Sequence, residues 1–471
     1  MKWIKPSRID GRISAPPSKS MMLRAVAAAV LSDDETVIRN PSFCADALAG
    51  LHIAEALGCQ VKGRAFGSPL APGFLTTEEY GGKELPGKPV VLTRDVNAGL
   101  RTEETNPQTK PGAPAAVGRD AGIVRIRGGR PWSGETLPCG ESGLCMRMFA
   151  PIAALSDRPF ILEGTGSLLN RPMAFMEEPL RRLGAICRTA DGTPPVRIAG
   201  PLQGGRTVID GSLSSQFLTG LLMALPFCPG DSEIWVTDLK SRPYAVMTLS
   251  FLRSFGLTID AEDSLEEIRI AGGQRFQKID YSVEGDWSGA AFPLVAGALA
   301  GRVVVSGLEA RSHQPDRRIL EALALAGARI AWEGINVAVE RDRLAGFDFD
   351  AADCPDLIPP LAALACHCEG RTRIFGADRL AHKESDRARA LVMEFTKAGA
   401  KITARETRLE IQGGPLRAAI FDSHGDHRIA MAGAVAALRS EKGLGIQGGE
   451  CVSKSYPHFF DDLKAIGGQI E

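Results

Sequence analysis

The 471-residue chain is predicted to fold as an α/β protein of two lobes, each holding three copies of one unit. Three observations predict it. One kind of helix opens at a small or polar residue and runs on in Ala and Leu; it recurs from Lys19, Glu141, Ser214, Asp286, Asp356 and Asp426. A second, amphipathic kind stops at Gly58, Gly184, Gly256, Gly327, Gly399 and Gly467, where glycine suits the left-handed residue that closes a helix. Successive intervals are 122, 73, 72, 70 and 70 residues for the first marker and 126, 72, 71, 72 and 68 for the second. Two independent markers therefore share a period near 70 with one over-long first interval. Between the helices lie short β-like runs: Thr36-Val37-Ile38, Phe160-Ile161-Leu162, Ile234-Trp235-Val236 and Val303-Val304-Val305. A unit of two helices and several strands is too large for a solenoid repeat of roughly 20–45 residues.

With 44% hydrophobic and 24% charged residues, the chain is too long for one ordinary core and divides into domains. A net charge of −1 supplies no global field toward nucleic acid or an anionic membrane, so any anion site is a local concentration of charge. Met1 to Ile9 alternates charged and apolar residues without a hydrophobic signal region, and no apolar run approaches a membrane span. The ten cysteines form no CxxC pair and read as reduced thiols of a soluble, cytoplasmic protein. No metal is expected, either at Cys366-His367-Cys368 or at His424 and His427, which lack a third ligand.

The excess in the first interval falls between Phe66 and Asp120, a stretch rich in Pro, Gly, Thr and charge, read as a flexible surface insertion. The sixth unit runs out of chain just after Gly467, and Met1 to Ser14 can supply its missing strands. The N-terminus is therefore expected to pack with the C-terminal half. The lobes expected on this count are 18–243, with the insert at about 66–120, and 1–17 with 244–471. Crossovers fall near 15–18 and 240–244, and a site in the cleft between the lobes is the natural default.

The polar residues gather at the helix starts. Pro16-Pro17-Ser18-Lys19-Ser20 offers a cap, a cation and a hydroxyl at a helix N-terminus, where free N–H groups attract anions, and Arg24 lies about a turn further on. Gly143 in Gly140-Glu141-Ser142-Gly143-Leu144 lets backbone approach a ligand closely. Arg171 precedes a helix, Ser214-Ser215-Gln216 lines up neutral donors and acceptors, and Ser241-Arg242-Pro243-Tyr244 heads another helix. In the second half Asp356 places a carboxylate at a helix start, Lys383-Glu384-Ser385-Asp386-Arg387 opens another, and Asp426-His427-Arg428 and Ser453-Lys454-Ser455 follow. Each alone reads most simply as a cap or a solvated turn. Together, Lys19, Arg24, Arg147, Arg171, Arg242, Lys383, Arg387, Arg428 and Lys454 occupy equivalent starts in a nearly neutral chain. Cations gathered away from water are costly unless an anion or an open cleft receives them. Asp356 and Glu384 among them are candidate proton-transfer groups.

These residues, with the runs Asp210 to Phe217, Val283 to Asp286 and Asp353 to Leu357, follow one another in the order of the 5-enolpyruvylshikimate-3-phosphate synthase family, which the chain resembles except at 66–120. The resemblance implies an inside-out α/β barrel of two lobes, each of three βαβαββ repeats, acting as an enolpyruvyl transferase of the shikimate pathway without a cofactor. It implies that shikimate 3-phosphate is held by Lys19, Ser20, Arg24, Ser214, Ser215, Gln216, Tyr244, Asp356 and Lys383. Phosphoenolpyruvate would lie against Lys19, Gly143, Arg171, Gln216, Arg387, Arg428 and Lys454. Asp356 would take the hydroxyl proton and Glu384 the C3 proton, with Lys19 or Lys454 assisting the leaving phosphate. The partners are these two small molecules, and a monomer is expected.

Where the family commonly reads Asn-Ala/Ser-Gly-Thr, this chain has Glu141-Ser142-Gly143-Leu144. Glu141 is expected to pair with Arg147 or another local cation, since a free carboxylate there would repel phosphoenolpyruvate. Arg379 stands where some members carry Asn, and of the usual paired aspartates only Asp46 is present. The alternatives are a UDP-N-acetylglucosamine enolpyruvyl transferase and an inactive binding homologue.

Overall fold

The computed structural model describes residues 1–64, 122–381 and 383–471, and the insertion expected at 66–120 lies outside the described residues. Around each lobe the strands follow one plan. Gly205–Asp210 runs parallel to Ser232–Thr237, which pairs antiparallel with Glu267–Ile270, which in turn pairs with Ile259–Ala261. Residues 136–199 and 348–412 repeat that order, a parallel pair followed by two antiparallel strands. Strand residues alternate in burial as the pleat requires: Ile234 and Val236 face inward while Trp235 is exposed.

The two helix types divide the labour. Trp287–Ala300 is buried along its whole length, because its Ala and Gly residues let neighbouring helices and strands close on every side. Arg387–Lys397 instead buries one face, with Ala390, Leu391, Glu394 and Phe395, and leaves the other to solvent. All six closing glycines adopt positive φ, between 84° and 110°, the conformation in which a side chain would be strained. The Ala-rich helices thus lie inside and the sheets and amphipathic helices outside, the arrangement of an inside-out α/β barrel.

Two sheets take their first strand from the other half of the chain. Ile9–Ser14 runs parallel to Gly301–Ser306, and Asp280–Ser282 runs parallel to Glu35–Arg39. Lys2–Ile4 joins Leu444–Gln447 antiparallel, so N-terminal strands close the sheets of the C-terminal half. The buried apolar residues accordingly fall into two clusters, one from Met21 to Val283 and one from Ile4, Ile9, Ile13 and Trp287 to Ile466. This corrects the boundary expected at 243/244. Helix Arg242–Ser254 is the second helix of the third unit, and it packs with that unit's closing strands in the first core; the chain crosses after Val283. Among the described residues, no helix is long and apolar enough to cross a membrane.

Candidate functional site

The buried helices of both lobes point their N-termini at one another, and their caps are the polar residues singled out above. Ser18 Oγ accepts from Met21 N at 3.4 Å, Ser142 Oγ from Cys145 N at 3.3 Å, and Asp286 and Asp426 cap their own helices. Asp356 is not a cap: it sits in the short turn Pro355–Leu357 ahead of helix Ile358–Ala365, with its carboxylate turned into the cleft cluster.

Arg387 is the centre of the second lobe's contribution. Its side chain is 1% exposed, and it donates to Asp426 Oδ2 at 2.7 Å, to Asp356 Oδ1 at 2.8 Å and to Glu384 Oε2. Arg428 Nη2 adds a contact to Asp356 Oδ2 at 3.1 Å, and Lys383 Nζ approaches Asp356 Oδ1 at 3.6 Å. Burial alone would raise the Asp356 carboxyl, yet Arg428, Lys383 and Arg387 together hold it far below the usual carboxylate range. Glu384 behaves alike: burial opposes its charge, and Arg387, Arg171, His427 and Lys454 outweigh that and keep it ionised. Burial lowers the Lys383 ammonium, with Asp356 opposing.

The first lobe faces this cluster with its own cations. Lys19 Nζ meets Asp46 Oδ2 at 2.8 Å; burial works against the ammonium, but Asp46, Cys44 and Glu384 reverse the balance and raise its proton affinity. Arg171 Nη2 reaches Glu384 Oε1 of the other lobe at 3.5 Å. Arg147 Nη1 donates to Gln216 Oε1 at 3.0 Å, and burial followed by the charge of Arg171 lowers its guanidinium to about 10. Gly143 lies against these side chains: a Cβ built on it would stand 2.7 Å from Arg171 Nη1. Ser214 Oγ accepts from Gln216 N at 3.1 Å, Ser215 is buried beside it, and Ser20 is half-buried at the start of its helix.

Several contacts tie lobe to lobe. Lys454 Nζ donates to Glu141 O at 3.1 Å and Glu141 Oε2 at 3.4 Å, and lies 4.0 Å from Glu384 Oε1. Tyr244 Oη donates to Asp316 Oδ2 at 3.1 Å, and Arg379 donates to the carbonyls of Ser212 and Leu213. Glu141 thus has a cation partner, but it is Lys454 rather than Arg147, with Ser167 Oγ donating to the same carboxylate at 2.9 Å.

Seven of the nine cations converge here: Lys19, Arg147, Arg171, Lys383, Arg387, Arg428 and Lys454. Arg24 sits deeper, donating to Ser20 O, Thr248 Oγ1 and Tyr244 O, and burial lowers its guanidinium to about 10. Arg242 does not join them; it is exposed and donates to Asp263 O, because Ser241 before it takes φ 55° and turns the helix start outward. Sequence reasoning missed His427 and Asp316. His427 is buried with neither ring nitrogen hydrogen-bonded, its Nδ1 3.8 Å from Asp426 Oδ1, and burial holds it well below its ordinary range. His427 draws notice in the sequence only as a metal ligand paired with His424, and falls away for want of a third; nothing in the sequence marks Asp316.

Against seven cations stand five carboxylates, Asp46, Glu141, Asp356, Glu384 and Asp426. Arg147 Nε, Arg171 Nε and Nη2, and Arg428 Nε are buried without a hydrogen-bond partner. Buried donors of this kind are costly unless an acceptor occupies them. The arrangement can therefore hold small, highly charged anions, fork to oxygen, between carboxylates able to move protons. By contrast, a cavity of about 710 Å³ lined by Arg8, Arg302, Arg341 and Arg439 with Asp10 and Glu340 opens at the far end of the second lobe. Helices Trp287–Ala300 and His427–Ala437 end there, and their carbonyl dipoles account for cations at that end. Among the described residues no three His, Cys, Asp or Glu side chains are grouped to hold a metal, and His367 Nε2 bonds Ala436 O at 3.0 Å.

Residues 4–67 and 120–463 match the family described as EPSP synthase (3-phosphoshikimate 1-carboxyvinyltransferase). The 3-phosphoshikimate 1-carboxyvinyltransferase of Aeropyrum pernix is 35% identical over 470 residues, covering 99% of this chain and 96% of that protein. That of Methanocella arvoryzae is 35% identical over 474 residues, covering 99% of each. A solved structure of EPSP synthase from Acinetobacter baumannii superposes with a TM-score of 0.75 at 24% identity, covering 100% of this chain and 99% of the other. The enolpyruvyl transferase NikO from Streptomyces tendae shares the fold at TM-score 0.72 and 16% identity, covering 100% and 98%. With nearly the whole chain matched in sequence and all of it in fold, the protein belongs to the EPSP synthase family.

Proposed function

We propose that this chain transfers the enolpyruvyl group of phosphoenolpyruvate to the 5-hydroxyl of shikimate 3-phosphate and releases phosphate. The observation that carries the reading is the convergence of buried arginine and lysine side chains from both lobes on one gap, with several arginine N–H groups lacking a hydrogen-bond partner. Both substrates are small acids bearing a phosphate and a carboxylate, the groups a guanidinium fork fits.

The acceptor lies, on this reading, against Lys19, Ser20, Ser214, Ser215, Gln216, Tyr244 and Lys383, with Arg24 supporting Ser20 and Tyr244 through their carbonyls. Phosphoenolpyruvate takes Arg171, Arg387, Arg428, Lys454 and the backbone at Gly143. In the first half the hydroxyl oxygen bonds to C2, its proton goes to Asp356, and C3 takes a proton from Glu384 in its acid form, giving a tetrahedral ketal phosphate. In the second half the C2–O bond to phosphate breaks, Lys19 and Lys454 neutralise the departing anion, and Glu384 takes the proton from C3. The three cations that keep Asp356 ionised also make it a weak base before substrate binds. Anionic oxygens that draw Arg387 and Arg428 toward themselves return its basicity, as they do for Glu384 through Arg171 and Lys454. Closing the gap strengthens each of these interactions by excluding water.

Both lobes of the one chain supply every group the reading uses, so the reaction as written requires no second subunit. Ten unpaired cysteines, nine of them buried, support a reducing compartment such as the cytoplasm. The reading is tested by measuring phosphate release from phosphoenolpyruvate with each acceptor in turn. Shikimate 3-phosphate should support stoichiometric release. Release with UDP-N-acetylglucosamine instead, or with neither, contradicts it.

Two further outcomes follow from the contacts. Gly143→Ala pushes a methyl against Arg171 Nη1 and displaces it, so KM for phosphoenolpyruvate should rise about tenfold with a smaller change in kcat. Glu141, with 43% of its side chain exposed, competes for Lys454, so Glu141→Gln should lower that KM about twofold, the scale of a weak ion pair. An unchanged KM in steady-state kinetics would detach that charge from the substrate.

A further inference from the structure

Asp316 is a buried carboxylate beside the cluster to which the reaction above gives no work. It is 3% exposed and lies in the turn Pro315–Arg318 of the second lobe. Its Oδ2 accepts from the Tyr244 hydroxyl of the first lobe at 3.1 Å, and its Oδ1 is buried without a partner. The groups facing it are Tyr244 on helix Arg242–Ser254, Asp286 and Ser288 at the start of helix Trp287–Ala300, Cys354 and Asp356 from their turn, and Arg428. Its own neighbours turn away: Arg317 donates to Ala310 O, and Arg318 to Glu321 and Asp350 O. Two carboxylates and one arginine thus surround a carboxyl that no lysine or arginine side chain among the described residues contacts directly.

We propose that Asp316 is a positioning residue whose carboxyl, when it carries a proton, donates to the Tyr244 oxygen and so turns the phenolic hydrogen toward Asp356 and the acceptor. The inference rests on the activity proposed above. When Asp316 loses its proton, Tyr244 must donate back to it, as the 3.1 Å contact allows, and a second negative charge stands behind Asp356. Burial, followed by the charge of Asp356, pushes the Asp316 carboxyl up to about 7, with Arg428 opposing. Tyr244, His427 and Asp356 do not titrate there. Burial and the charges of Asp316 and Asp356 raise the Tyr244 phenol well above its ordinary value, burial takes His427 well below its own, and Asp356 stays far below the carboxylate range.

The sign follows: the protonated form is the active one, so kcat/KM for shikimate 3-phosphate should fall about tenfold per pH unit above neutrality. Asp316→Asn, whose amide donates to the Tyr244 oxygen at every pH, should abolish that alkaline limb. Asp316→Ala leaves Tyr244 without its partner and should raise KM for shikimate 3-phosphate about tenfold across the pH range. An Asp316→Asn enzyme that keeps the alkaline limb overturns the proposal. Should the variants fail to fold, infrared titration of the unaltered protein decides: a buried protonated carboxyl band that fades through neutrality supports the assignment, and no such band overturns it. Absence of phosphate release at every pH would count against the activity itself, whereas an active enzyme with an unshifted limb counts only against Asp316.

Discussion

Glu384→Gln should lower kcat by about a thousandfold, within the range a positioned acid–base group contributes, while KM for phosphoenolpyruvate stays level or falls. The split follows from where the carboxylate sits. Glu384 contacts Arg387, Arg171 and Lys454, which the anionic substrate also needs, so its charge competes with the ground-state ligand even as its proton transfer serves the reaction. Glutamine keeps the shape and the bond to Arg387 but cannot carry the C3 proton. The protein should fold normally, because Arg387 retains Asp356 and Asp426. Steady-state kinetics with thermal unfolding as a control checks this. A fall in kcat of less than about tenfold would remove Glu384 from proton transfer.

Arg387→Met should bring the largest loss of stability, about 3–5 kcal/mol, the usual result of removing one partner from a buried ion cluster. The damage is concentrated at Asp426. Asp356 keeps Arg428 and Lys383, and Glu384 keeps Arg171 and Lys454, but Asp426 is fully buried and Arg387 is the only lysine or arginine side chain that contacts it among the described residues. Acid should narrow the gap between variant and wild type. The depressed Asp356 and Glu384 carboxyls stabilise the native protein above the ordinary carboxylate range, and that contribution fades as pH falls toward their folded values. The variant has less of it to lose. Chemical denaturation at neutral and mildly acidic pH measures this, and a variant as stable as wild type at neutrality would contradict the ion-cluster account.

Much of this was legible in the sequence, and the physical reason is locality. A helix that ends on glycine states its own backbone conformation, and all six predicted closing glycines have positive φ. The caps at Ser18, Ser142, Asp286 and Asp426 depend only on the next two or three residues. Equivalent placement in a repeat then brought seven cations together without any tertiary information. What failed was long-range. The second crossing was misplaced because nothing near residue 243 announces that Asp280–Ser282 will pair with Glu35–Arg39. Arg242 was grouped with the cleft cations because sequence does not show the left-handed Ser241 before it. Glu141 found its cation in the opposite lobe, some three hundred residues away, where only the folded chain could place Lys454. Asp316 and His427 became candidates only through burial and missing partners.

The most direct measurement is a crystal structure of the protein with shikimate 3-phosphate and phosphoenolpyruvate bound together. The account predicts both anions in the gap between the lobes, with the phosphoenolpyruvate oxygens on Arg171 from one lobe and Arg387, Arg428 and Lys454 from the other. Substrates seated elsewhere, or held by one lobe while those four side chains stay paired only with protein carboxylates, would contradict it.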